Sequence, residues 1–136
     1  MKNNIYVGYK YKEEFSFSQE DVITFSKLSG DTNPLHLCEE FAKNTMFGKP
    51  IIQGLLGSSI FSKVLGTKLY GEGTIYMNQY VEFRSPMFVD TPYIVIAEVI
   101  DIQKEKNRAV IKTIVLDSSR NLVITGEALI KNEKIC

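Results

Sequence analysis

A chain of 136 residues, 44% hydrophobic and 24% charged, suits one globular domain over 1–136 with room for a real core. Its 16 acidic and 16 basic side chains cancel, which removes the basic excess of a nucleic-acid binder and leaves little repulsion against self-association. The start lacks an apolar leader, and the longest apolar stretch, 55–65, carries three serines and Lys63, so neither export nor a membrane span is expected. Cys38 and the final residue, Cys136, are the only cysteines; a reduced, cytoplasmic chain is the simpler expectation, with Cys38 a small, partly buried side chain.

Residues 8–17, with Tyr9, Tyr11, Phe15 and Phe17, read as a leading strand. Ser18 followed by Asp21 is a capping box, which predicts a helix to about Leu28 with Val22, Phe25 and Leu28 on one side. The run 29–34 is turn chemistry, and Pro34 holds Asn33 extended. A short helix through Glu39 to Ala42 follows, and Gly48-Lys49-Pro50 breaks the chain again. Residues 53–65 are apolar on nearly every side, which predicts a buried helix with Gly66 as its C-terminal cap. From Gly73 onward the pattern is β. Residues 74–83 alternate, with Ile75, Met77, Gln79, Val81 and Phe83 on one face. Strands at 93–102, 108–116 and 122–130, joined by polar turns, should pair antiparallel in a four-strand meander with 74–83. Periodicity therefore predicts an α+β fold, with a helix packed on an antiparallel sheet.

Chemistry narrows to one loop. The single histidine and two cysteines supply no zinc set, so no metal is expected. No G-x-S-x-G elbow occurs, the run ending Gly48-Lys49 lacks the first glycine of a phosphate loop, and Gly71-Glu72-Gly73 lacks the third glycine of a dinucleotide fingerprint. Asp31 and His36 remain, five residues apart around Asn33 and Pro34. A carboxylate and an imidazole brought together can hold a water and move its proton near neutral pH. The same residues also suit an ordinary capped turn beside a packed histidine, and spacing does not separate the two.

The run Phe25-Ser26-Lys27-Leu28-Ser29-Gly30-Asp31-Thr32-Asn33-Pro34-Leu35-His36, with Ala42 after it, resembles the hydratase motif of MaoC-like (R)-specific enoyl-CoA hydratases. The likeness continues through the apolar helix with Ser62, through Gly73-Thr74-Ile75-Tyr76 and through 83–89. The resemblance implies a single hotdog fold, a curved antiparallel sheet wrapped around a buried central helix. It implies (R)-specific hydration of trans-2-enoyl thioesters, or the reverse dehydration, with Asp31 and His36 as the acid–base pair and Asn33 orienting them. It further implies that Gly54 offers its N–H to the thioester carbonyl and that Gln53 and Ser62 line the acyl pocket. No cofactor is implied; the partners are an acyl-CoA or acyl-carrier-protein substrate and a second copy in a homodimer. Gln53 stands where the family usually has histidine, and glutamine cannot titrate. A hotdog thioesterase, attacking C1, and a non-catalytic acyl-thioester-binding subunit are the competing readings. Lys43, Lys49, Lys63 and Arg84 read as solvated cations before phosphate contacts.

Overall fold

In the computed structural model, which describes residues 5–136, five antiparallel strands form one sheet against an apolar helix. The chain begins with β1 (Lys10–Phe15) and α1 (Gln19–Ser29). The predicted capping box is present: Ser18 Oγ accepts from the Asp21 N–H, and the Asp21 carboxylate accepts from the Ser18 N–H. Gly30, in the left-handed region at φ 81°, ends α1, and its N–H donates to the Ser26 carbonyl. Val22 is fully buried and Phe25 packs on the core, but Leu28 is 85% exposed. The buried companion of Val22 is Ser26, one turn on, because a polar partner described below waits for it.

A short helix absent from the sequence prediction, α2 (Pro34–Leu37), carries His36; α3 (Glu39–Lys43) follows. Pro34 suits a first helical turn, and the Asn33 side chain caps it by accepting from the Leu35 N–H. Cys38, at the joint of these two helices, is exposed where partial burial was expected, since a joint on the surface presents its side chain to solvent.

The apolar helix is α4 (Gly54–Val64). Leu56, Gly57, Ile60, Phe61 and Val64 are buried, each large apolar side chain contributing about 1.5–3 kcal/mol. The helix is not enclosed on all sides, however: Leu55, Ser59, Ser62 and Lys63 face solvent in the single chain. Gly66 is not its cap. The chain runs on through a π-type turn, Leu65–Leu69, because Leu69 and Tyr70 still have core to bury; the positive φ falls at Gly71 instead.

The remaining strands are β2 (Ile75–Phe83), β3 (Tyr93–Gln103), β4 (Arg108–Leu116) and β5 (Leu122–Lys131). Their order is β1-β3-β4-β5-β2. β3, β4 and β5 are the predicted hairpins. The four-strand meander is not formed, because β2 pairs with β5 across the far edge and not with β3. Residues Tyr93, Val95, Ala97 and Val99 of β3, with Ile111 and Val115 of β4 and Ile124, Ala128 and Ile130 of β5, are buried and share the core with α4. In β2 a bulge between Tyr76 and Asn78 breaks the predicted alternation. Gln79 and Val81 are half-buried, whereas Ile75, Met77 and Phe83 are exposed.

One ion pair ties the exposed side of α4 to the sheet: Lys63 donates to Glu13 of β1, which also accepts from the Tyr11 hydroxyl at 2.8 Å. The Lys63 bond, then the Tyr11 bond, hold the Glu13 carboxyl below its ordinary value of 4.5. A depressed carboxylate stabilises the fold above 4.5 and loses that contribution as pH falls through the lower folded value. Glu13→Gln should therefore lower the urea midpoint at pH about 7 and, well below the ordinary value of 4.5, lower it by less, the difference shrinking as the folded carboxyl protonates. Equal losses at both would assign Glu13 to packing and not to charge.

Candidate active site

His36 is placed by three local devices. Pro34 and the Asn33 cap start α2, and the Gln19 side chain reaches from α1 to the His36 carbonyl at 3.3 Å. The imidazole itself is buried, and its Nδ1 lies 2.7 Å from the Ile51 carbonyl oxygen. A carbonyl only accepts, so Nδ1 carries the hydrogen and Nε2 is left as the free ring nitrogen. Ile51 is in turn held to α2 by its own N–H, which donates to the Leu35 carbonyl at 3.3 Å.

Asp31 approaches from the loop after Gly30. Its backbone N–H donates to Ser29 Oγ at 3.1 Å, and its Oδ1 accepts from the Asn33 N–H at 3.2 Å. That leaves Oδ2 facing His36 Nε2 at 3.9 Å. The gap is long for a direct hydrogen bond and short enough for one oxygen atom to bond both groups. The Asp31 side chain is 45% exposed and that of His36 10%, so the pair sits at a boundary with one member wet and the other sheltered. Asn33 acts through its backbone on Asp31 and through its side chain on α2.

Beside the imidazole opens a cavity of about 310 Å³, walled by His36, Ile51, Ile52, Gly54, Phe83 and Met87, among others. Gly54 is the first residue of α4, so its N–H belongs to the turn that has no acceptor within the helix. The Phe83 ring covers it closely: a Cβ on Gly54 would stand 2.9 Å from Phe83 Cε1, and the ring would have to shift to admit one. The arrangement presents a helix N-terminus and the imidazole to one apolar hollow, while Asp31 meets the ring from the exposed side and is not among the residues that wall the cavity. It can polarise a carbonyl at one point and move a proton at another.

The structure places two predicted pocket residues elsewhere. Gln53 is 2% exposed, but its Nε2 donates to the Val22 carbonyl at 3.0 Å and to Ser26 Oγ at 2.9 Å, so the amide bolts α4 to α1 and is not among the groups walling the cavity. Ser62 is exposed on the outer side of α4 and does not wall it either. Three participants were not nominated as site residues from the sequence, although two of them lie in the stretch 83–89 that carries the likeness. The Ile51 carbonyl is backbone, and Phe83 and Met87 belong to segments remote from the motif. Of the cations, Lys63 is engaged by Glu13, Arg84 bonds Glu82 at 3.0 Å, and Lys49 lies 4.4 Å from the Phe88 ring centre. Among the described residues, no group of three or more His, Cys, Asp or Glu is gathered as for a metal ion, and no helix is long and apolar enough to cross a membrane.

Comparison with known proteins bears on the family and the fold. The family described as MaoC like domain matches residues 2–120. The (R)-specific enoyl-CoA hydratase of Aeromonas caviae is 38% identical over 92% of this chain and 93% of its own length. The 3-hydroxybutyryl-CoA dehydratase of Methylorubrum extorquens is 39% identical over 90% of this chain and 76% of its own. The solved structure of the A. caviae (R)-hydratase involved in PHA biosynthesis superposes with a TM-score of 0.90, covering 94% of this chain and 97% of that one. The hotdog fold expected from the motif is thus the fold observed, and the chain belongs to the MaoC-like domain family.

Proposed function

We propose that this protein is a hydro-lyase that adds water to trans-2-enoyl thioesters to give (R)-3-hydroxyacyl thioesters, and catalyses the reverse dehydration. The observation that carries the reading is the 3.9 Å approach of Asp31 Oδ2 to Nε2 of His36, whose ring walls an apolar cavity together with Gly54 at the start of α4. The activities of the A. caviae and M. extorquens relatives support it.

The enoyl thioester lies with its carbonyl oxygen at the Gly54 N–H. Donation there draws electrons from the conjugated double bond and leaves C3 electrophilic. Asp31 and His36 hold one water between them, the carboxylate through Oδ2 and the ring through Nε2. As the water oxygen bonds C3, the pair takes one of its protons, and the electron pair of the double bond moves through C2 onto the carbonyl oxygen. C2 then takes a proton back from the pair as the carbonyl re-forms. The product has gained one H and one OH, and the protein is unchanged. Asn33 keeps Oδ1 occupied so that Oδ2 stays turned to the water, and Ile51 keeps the ring proton on Nδ1. The thioester is a CoA or acyl-carrier-protein ester.

The working unit is a homodimer joined along β2. That edge strand exposes Ile75, Met77, Tyr80 and Phe83, and an open apolar edge is stable in solution only when covered. Sedimentation at a mass of two chains is the expected result.

Incubation with crotonyl-CoA tests the chemistry. Loss of enoyl absorbance without free thiol, with (R)-3-hydroxybutyryl-CoA as the product, is expected. Release of free thiol would identify a thioesterase, and binding without turnover a non-catalytic subunit.

A further inference from the structure

We propose that Met87, seated in a notch that Gly57 leaves in α4, closes the inner end of the cavity and restricts the enzyme to short acyl chains. This rests on the reading that the enoyl thioester occupies that cavity.

The cavity has a wet end and a dry end. Phe83, Arg84 and Ser85 are exposed at its mouth, whereas Ile52, Met87 and Ile124 are 3%, 4% and 1% exposed. With the carbonyl at Gly54 and the reacting carbons beside His36, the tail beyond C3 has only the dry end to enter. At about 310 Å³ the hollow lies at the lower limit for small-molecule sites, commonly roughly 300–1,000 Å³.

Met87 defines that end. Its backbone is pinned, because its carbonyl accepts from the Ile52 N–H at 2.8 Å and the next residue's N–H donates to the Tyr93 hydroxyl at 2.8 Å. Its side chain is unbranched and adaptable. Gly57 stands one turn after Gly54, on the same side of α4. A Cβ at Gly57 would meet Met87 Sδ at 2.6 Å and Ile124 Cδ1 at 3.4 Å. The thioether thus fills the space a side chain at 57 would take, with Ile124 completing the wall. Glycine is unfavourable inside a helix relative to alanine, so its presence there is accounted for by what it admits.

The two residues make opposite predictions. Met87→Ala opens the dry end and should raise the ratio of kcat/KM for octenoyl-CoA to that for crotonyl-CoA about tenfold or more, the discrimination a few methylenes command in an apolar pocket. Gly57→Ala drives the thioether into the cavity and should lower the hexenoyl-to-crotonyl ratio by a similar factor. A residue that only packs the core would depress all substrates together with the melting temperature. Unchanged ratios in both variants of an active enzyme would overturn the proposal. If Met87→Ala fails to fold, Met87→Leu and Met87→Val conserve more volume and should shift the same ratio in the same direction by less. A wild-type protein that hydrates no enoyl-CoA would overturn the activity itself, which is a different result from unchanged ratios.

Discussion

His36→Asn and Asp31→Asn should each lower kcat/KM for crotonyl-CoA hydration by about 10²–10⁴ while the protein stays folded. The asparagine at 36 is chosen for its amide. His36 is 8% exposed and its Nδ1–H satisfies the Ile51 carbonyl, so alanine would strand that acceptor and blur a catalytic loss with a structural one costing about 1–3 kcal/mol. An asparagine amide can still donate toward Ile51 but carries nothing at the position of Nε2. At 31 the amide keeps the shape of the carboxyl group and its acceptor for the Asn33 N–H, and removes the charge and basicity of the atom that faces Nε2. In the proposed mechanism the two groups act on one water, so their losses should not multiply: the double variant should be about as slow as the worse single one. Either single variant retaining wild-type turnover, with an unchanged circular dichroism spectrum, would remove that residue from the mechanism.

Gly126→Ala should destabilise the fold by about 3 kcal/mol, the upper range for forcing extra volume into a packed site. Gly126 lies in β5 opposite Val81 of β2. A Cβ there would stand 2.1 Å from the Tyr80 carbonyl oxygen, 2.8 Å from Gln79 Nε2 and 3.2 Å from Thr113 Oγ1. The first of these is backbone and cannot rotate away. The other two belong to a hydrogen-bonded knot in which Gln79 Nε2 donates to Thr113 Oγ1 at 2.9 Å and to the Tyr80 carbonyl. Relief therefore requires β2 to move off β5, and β2 carries Phe83, which covers Gly54. The expected result is a lower urea midpoint together with weakened turnover, since the cavity wall moves with the strand. An unfolding free energy within about 0.5 kcal/mol of wild type, the range of an ordinary surface substitution, would show that the ladder accommodates a methyl group.

Local chemistry was legible from residue order alone. Ser18 and Asp21 bond each other's backbone whatever lies around them, and Asn33-Pro34 starts a turn of helix by the same short-range means. The three hairpin-linked strands β3, β4 and β5 follow from alternation and close turns, and the motif around Asp31 and His36 carries the family with it. Leu28, Gly66 and the β2 pairing were misjudged because each depends on a neighbour distant in the chain. Leu28 has the periodicity of a core residue but no surface against it; Leu69 and Tyr70 draw the helix past Gly66; and β2 pairs with β5, not β3, at the far edge of the sheet. The site divides the same way. Asp31 and His36 are five residues apart, so the sequence could nominate them. Only the folded chain decided that the Ile51 carbonyl chooses the ring tautomer, that Gln53 turns its amide to α1, and that Met87 and Gly57 meet. Turns and caps are satisfied within a few residues, whereas cavity walls are assembled by burial, which pairs side chains without regard to their separation along the chain.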